Sequence, residues 1–328
     1  MIKFFRGSGI GPVLVMALIA VALWIQYFIA PPQALHPSGG EAMPLWSLIF
    51  NSLTALPLLA AILSSILMVI VAGIMIRFNT SVFFIARRTY FPALFYIMLY
   101  SSVPGGMVLN PALPAALLIL TGLWRMMSAC RLNGVAFNFF DAALLVSSAG
   151  MFYAPSVWFV LLVLIGVLIL RSTDFREISV AFAGALLPWI VLYAVWYLTG
   201  GNLSDLTEII KHNLFDKAPS AYWSRTLIIL LAIIAVSFIP CLLSLISEMS
   251  TKKIKSRKTF ELLEWMLAIC AAAYAFLPSV STEMNAIAAI PVAFVMANYC
   301  TFSRRLVMTE ILFWIMVVMI VISRLWPY

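Results

Sequence analysis

"NGVAFNFFDAALLVSSAGMFYAPSVWF", residues 133–159, holds one carboxylate, Asp141, in an otherwise apolar run. Such a run is either the core of a soluble domain or a crossing of a bilayer. Its single acid is either a working group or the charged end of a helix. Composition decides the first choice. Of 328 residues, 64% are hydrophobic and 10% charged, where soluble domains carry about a quarter charged residues. Apolar runs of about 20 residues recur from end to end, each long enough to cross a hydrocarbon core of about 30 Å. The expectation is an all-α, polytopic transmembrane helix bundle forming one domain over 1–328. No polar stretch is long enough to fold as a soluble domain.

The opening "MIKFFRGSGIGP" puts Lys3 and Arg6 ahead of the apolar residues 11–30. This is like a signal peptide, but the run is too long and no A-x-A cut site follows, so it reads as an uncleaved first span. The next stretch, 45–76, would reach about 48 Å as a helix, too long for one straight crossing. Asn51 and Pro57 offer the break, with 45–55 at the interface and 57–76 crossing. Further spans are expected near 89–106, 110–129, 135–153, 156–171, 177–199, 225–247, 260–278, 284–301 and 306–324. That makes about eleven, within a range of nine to twelve, because 89–106 and 284–301 are short and broken.

The basic residues test this map. Sixteen of the twenty Lys and Arg fall on one side, and Lys211, Lys217, Arg225 and Arg324 on the other. Such a bias is the positive-inside pattern. It puts the amino terminus in the cytoplasm and the carboxyl terminus outside. The net charge of +8 is then a topology signal, and no nucleic-acid partner is expected. "TKKIKSRK", 251–258, falls in a cytoplasmic basic loop at about 248–259 and has the composition to hold anionic lipid headgroups.

The same map answers for the acids. Asp141, Asp174, Glu177, Glu261, Glu264 and Glu310 all fall near amino-terminal helix ends, where a negative charge meets the positive end of the macrodipole. Arg125 or Arg131 is in reach to pair with Asp141. No acid falls at the centre of a span, which argues against an ion-coupled pump.

Cys130, Cys241, Cys270 and Cys300 form no CxxC pair and fall in or beside apolar runs, so they read as small core residues. Two histidines, His36 and His212, exclude a multi-histidine metal site, and no glycine-rich phosphate loop is present. No cofactor is expected.

Three segments are left for function. Residues 30–56 form a Pro- and Gly-rich outer loop with His36 and Glu41, then an aromatic-apolar stretch. Residues 200–225 carry Leu206, Ile209, Ile210 and Leu214 as an apolar stripe, with Asp205 and Glu208 as a capping box and Glu208–His212 as an i, i+4 pair. This predicts an amphipathic helix over 203–215 lying on the outer face. "SSVPGGMVLNPALPA", 101–115, forces a non-helical turn, with Asn110 its one strong polar side chain.

"MIKFFRG…GPVLVMALIAVALW" and "FDAALLVSSAGMFYAPSVWFVLLVLIGVLILRSTDFREISVAFAGALLPWIVLY" resemble an uncharacterised family of polytopic inner-membrane proteins of Bacteroidota, best over 1–25 and 133–193. The resemblance implies a bacterial inner membrane and carries no activity with it. A weaker, topology-level likeness is to polyprenyl-phosphate-dependent glycosyltransferases and glycan polymerases of the GT-C type. It implies a lipid-linked glycan substrate, with Glu41 as base and His212 or Arg225 meeting the phosphate. That group commonly has two adjacent acids or a longer first loop; here a single Glu stands in a short one.

Three functions follow. The first is a non-catalytic subunit or scaffold of a cell-envelope assembly, with envelope proteins and membrane lipids as partners. The second is a glycosyltransferase-like enzyme acting on a polyprenyl-phosphate-linked substrate, which needs Glu41, His212 and Arg225 around one outer cavity. The third is a transporter or flippase, which needs a polar path through Asn51, Asn285 and Asn298.

Overall fold

The computed structural model describes residues 5, 9–29, 42–53, 55–103, 108–128, 136–171, 175–217, 225–303 and 306–325. Among them no strand occurs. Thirteen α-helices follow in order: α1 (Ile10–Ile29), α2 (Pro44–Leu53), α3 (Pro57–Val82), α4 (Phe91–Ser102), α5 (Ala112–Ser128), α6 (Ala136–Ala149), α7 (Val160–Arg171), α8 (Phe175–Leu198), α9 (Leu203–Phe215), α10 (Arg225–Glu248), α11 (Ile254–Phe276), α12 (Asn285–Phe302) and α13 (Leu306–Leu325). A 3-10 turn, Ala154–Phe159, leads into α7.

Six helical segments are long and apolar enough to cross a membrane: Gly11–Ile29, Pro57–Val82, Phe175–Leu198, Ile228–Thr251, Ile254–Phe276 and Thr282–Phe302. This is a membrane protein. Five shorter apolar helices, of 10–17 residues, fall where the sequence map expects the remaining spans. The long run 45–76 does break, between α2 and α3. Pro57 stands at the first turn of α3, where its missing N–H costs nothing.

The centre is built on α4. All twelve of its residues are buried, although at about 18 Å it is too short to cross alone. It packs against α12, itself almost wholly buried. The Tyr96 hydroxyl donates to Ala286 O (3.2 Å) and Asn285 Nδ2 donates to Leu99 O (3.3 Å). Below them Phe78, Phe84, Phe260 and Phe294 interlock, with ring centroids 5.1–5.7 Å apart.

Lipid tails are as apolar as leucine, so helices in a bilayer associate through close packing and hydrogen bonds. The α5–α6–α8 layer does this with small residues. A Cβ at Gly122 would stand 2.8 Å from Val146 and 3.1 Å from Ala142 O, and one at Gly184 would stand 2.5 Å from Phe140 O. Ser147 Oγ donates to Ala185 O (2.6 Å) and accepts from Trp189 Nε1 (2.9 Å), stitching α6 to α8. The outward faces stay apolar: Leu14, Leu18 and Val21 on α1, and Phe182, Ile190 and Val195 on α8, are exposed.

The bundle has two distinct ends. One carries α9, the turn 150–153 and the segment 277–284, and is here called the α9 end. The other carries the Arg- and Lys-rich turns and is called the basic end. At the basic end Asn79, fully buried, holds the turn after α3. Its amide donates to Arg87 O (3.0 Å), its carbonyl accepts from Ile85 N (3.2 Å), and Phe83 (φ 57°) and Ala86 (φ 52°) adopt left-handed backbone.

The basic stretch is not a loop throughout 248–259. Helix resumes at Ile254, so Lys255, Arg257 and Lys258 stand on α11. Lys and Arg are good helix formers, and Arg257 Nε meets Glu261 Oε1 at 3.6 Å, an i, i+4 pair. Glu264 is in consequence a third-turn residue, not a first-turn one.

Candidate recess at the α9 end

α9 occupies Leu203–Phe215, the range its periodicity predicts. It is fixed to the bundle at both ends. Trp196 Nε1 donates to Asn202 O (3.0 Å), and Ser279 Oγ donates to Leu214 O (2.7 Å). The corner before it needs glycine. Gly200 has φ +82°, and a Cβ on Gly201 would run into the Trp196 ring. Leu206 is fully buried, and Ile210 and Leu214 pack on a cluster of Met43, Trp46, Ala60, Leu109 and Ala154. Thus α2 and α9 pack together over one cluster at the α9 end of the bundle.

The cap differs in detail from the expected capping box. Asn202 is the N-cap and makes no side-chain cap bond. Asp205 sits in the first turn and accepts from Asn202 Nδ2 (3.3 Å) and Ser204 Oγ (3.2 Å). Nor is Glu208 the partner of His212. His212 Nε2 lies 3.2 Å from Asp216 Oδ2, one turn the other way, with both side chains more than half exposed.

Beneath α2 and α9 lies a recess of about 30 Å³, lined by Met43, Trp46, Pro111, Tyr153, Asn213, Ser279 and Glu283 among others. At about 10–15 Å³ per water, that is room for about two waters and not for a sugar ring. Its polar groups converge from four elements. Trp46 Nε1 and the Tyr153 hydroxyl are buried and make no hydrogen bond among the described residues. Ser281 stands beside the Tyr153 hydroxyl, short of full hydrogen-bond geometry. Burial pushes the Tyr153 phenol well above its usual range, and the Glu283 charge adds to that. Next to Pro111, which lines the recess, the Asn110 carbonyl caps α5 by accepting from Leu113 N (3.1 Å), and its amide donates to Tyr100 Oη (3.3 Å).

The three residues singled out from the sequence are not gathered here. Glu41 lies outside the described residues, although its neighbour Ala42 lines the recess. Of Arg225 only the backbone, at the start of α10, is described. His212 faces water. The α9 residue that does reach the recess is Asn213, whose amide donates to Ile209 O (2.9 Å). A signal for it was present: Asn213 stands seven residues after Leu206, on the buried stripe and not the polar face. Glu283 was missed because it falls in a short link between two spans, where hydropathy reads only "loop". The asparagines of the proposed transport path are also apart. Asn285 bonds Leu99 O near the α9 end, Asn298 meets Lys252 at the basic end (3.1 Å), and Asn51 is exposed on α2.

At the basic end two of the acids meet an arginine, Asp141 and Glu261. Arg125 Nη2 meets Asp141 Oδ2 at 3.2 Å, and Glu177 lies in the first turn of α8. Cys241, Cys270 and Cys300 are buried and form no disulfide, and Cys130 lies outside the described residues. Among the described residues, no group of three His, Cys, Asp or Glu is placed to hold a metal ion.

A family of unknown function (DUF6427) matches residues 42–326, and the chain belongs to it. No curated protein and no solved structure matches.

Proposed function

We propose that this member of the family is a non-catalytic, multi-pass subunit of a cell-envelope assembly in a bacterial inner membrane. It crosses about eleven times, with the basic end and the amino terminus in the cytoplasm and α9 on the outer face. The sixteen-to-four division of Lys and Arg supports that orientation. The six long and five short apolar helices support the count.

One observation carries the non-catalytic reading. The imidazole of His212 is 55% exposed and meets Asp216 in water, while the recess on the other side of α9 has about 30 Å³. A general acid has to reach its substrate within hydrogen-bond distance. The test is complementation of a gene deletion. His212→Ala and Glu41→Gln should each restore normal growth and envelope glycans. A stably folded variant of either that lacks glycan transfer would defeat the subunit reading.

A second reading rests on Glu283. Its carboxylate lines the recess with a phenol, an indole and an amide, groups that bind a polar headgroup, although the recess as it stands admits about two waters and a lipid-linked glycan would enter only with α2 or α9 displaced. On this reading the chain is a GT-C-like enzyme and Glu283, not His212, touches the substrate. Glu283→Gln would then abolish glycan transfer with folded protein retained, whereas the subunit reading expects at most a loss of stability.

A further inference from the structure

We infer that one face of α11 docks a transmembrane helix of another protein, and that this helix carries a Lys or Arg to meet Glu264. The inference rests on the subunit reading and names the chemistry of one partner.

The face follows from the register of α11. At about 100° per residue, Glu264, Ala268, Ala271, Ala272 and Ala275 fall within an arc of about 100°. All four alanines are exposed, while the opposite side, with Leu263, Met266 and Cys270, is buried in the bundle. Trp265 and Phe276, both exposed, border the arc along one edge. The outward face of α8 is built differently, from Phe182, Ile190 and Val195. Alanines gain nothing over such residues against lipid. They do let a second helix axis approach to about 8 Å, and close approach is what holds helices together in a bilayer.

Charge selects the partner. Glu264 stands about 9 Å along the axis beyond Lys258, inside the segment Ile254–Phe276 that is apolar enough to cross. Its Oε1 is buried and makes no hydrogen bond among the described residues. No Lys or Arg among them meets it. The charge beside it is Glu261, one turn back, and Arg257 already meets Glu261. Lys258 points away and donates to Leu170 O (3.3 Å). An acid inside a membrane is costly unless a cation or a donor meets it. A helix seated on the alanines would bring that cation. A second copy of this chain would not, because a two-fold axis along the membrane normal would set Glu264 against Glu264. The groove between α10 and α13, of about 430 Å³ and lined by Ile233, Pro240 and Ile315 among others, is apolar nearly throughout, so nothing in it selects an occupant.

The test uses the full chain, labelled with an energy-transfer acceptor, in phosphatidylcholine liposomes. The probes are donor-labelled single-span peptides of Leu and Ala that differ at one position, about 9 Å inside the cytoplasmic end: Arg, Leu or Glu. The Arg peptide should bind about tenfold more tightly than the Leu peptide, and the Glu peptide least tightly. Glu264→Gln should erase the difference between Arg and Leu. Ala272→Phe, on an exposed position, should weaken all three. Equal binding of the Arg and Leu peptides to the natural chain overturns the inference and needs no variant. So does energy transfer between two copies of the chain that Ala272→Phe removes, since a second copy would then be the occupant. Selective binding of the Arg peptide, with glycan transfer lost in folded His212→Ala or Glu41→Gln, would defeat the non-catalytic reading and leave this surface standing. No selectivity, with both of those variants complementing, would defeat this surface alone.

Discussion

Arg125 Nη2 lies 3.2 Å from Asp141 Oδ2, joining the last turn of α5 to the second turn of α6 at the basic end. Both side chains are more than a third exposed, so solvent screens the pair. Such pairs are worth about 0.2–1 kcal/mol. Asp141→Asn and Arg125→Ala should therefore each lower stability by that amount, read as a small shift in thermal melting in detergent. Growth of the complemented strain should be normal. A well-folded Asp141→Asn protein with no biological function would mean that the carboxylate does more than hold a helix end.

The turn after α3 should be far more sensitive. Asn79→Ala leaves the buried Ile85 amide without its acceptor and the part-buried Arg87 carbonyl without its donor. A buried orphan costs about 1–3 kcal/mol, and the part-buried carbonyl less, so the loss should be about 2–3 kcal/mol. Ala86→Gly at φ 52° should act in the opposite direction, raising stability by about 0.5–1 kcal/mol because glycine adopts that backbone without steric strain. A destabilised Ala86→Gly would show that the left-handed turn is not held under strain.

Two helical glycines separate packing from propensity. Gly184→Ala puts a methyl 2.5 Å from Phe140 O, where backbone has to move. The cost should be about 1–3 kcal/mol. At Gly73 nothing lies within 4 Å. There Gly73→Ala should be neutral or stabilising by up to about 1 kcal/mol. Thermal unfolding of the two variants side by side checks the contrast, and equal effects would contradict the close α6–α8 approach.

Orientation is testable without any assay of function. In a background lacking the native cysteines, Lys217→Cys should react with an impermeant thiol reagent added to intact cells. Ile254→Cys should react only after the membrane is opened. Labelling of position 254 from outside would invert the topology.

Much of the fold was legible because a bilayer imposes its own ruler. Runs of apolar residues locate the helices, Pro57 marks the break between α2 and α3, and the i, i+3, i+4 stripe of Leu206, Ile209 and Ile210 predicts α9 to the residue. The local electrostatics of Asp141 were also readable, since Arg125 closes the preceding helix, sixteen residues earlier, and a short connection brings the two helix ends together. Less was legible at the recess. His212 has the more reactive side chain, but Asn213 has the inward position, and a helix turns about 100° between them.

The sequence by itself determined that this is a helical membrane protein and roughly where each helix runs, because length and hydropathy are properties of a single segment. Only the tertiary structure decided that the twelve residues of α4 form the centre, that Glu283 and Tyr153 line one recess under α2 and α9, and that α10 and α13 leave a groove between them. The reason is physical. Leucine facing lipid and leucine facing another helix are in nearly the same medium, so no hydropathy pattern tells the inside of such a bundle from its outside. That distinction comes from shape: which glycine lets a neighbour approach, and which polar atom finds its partner across the bundle.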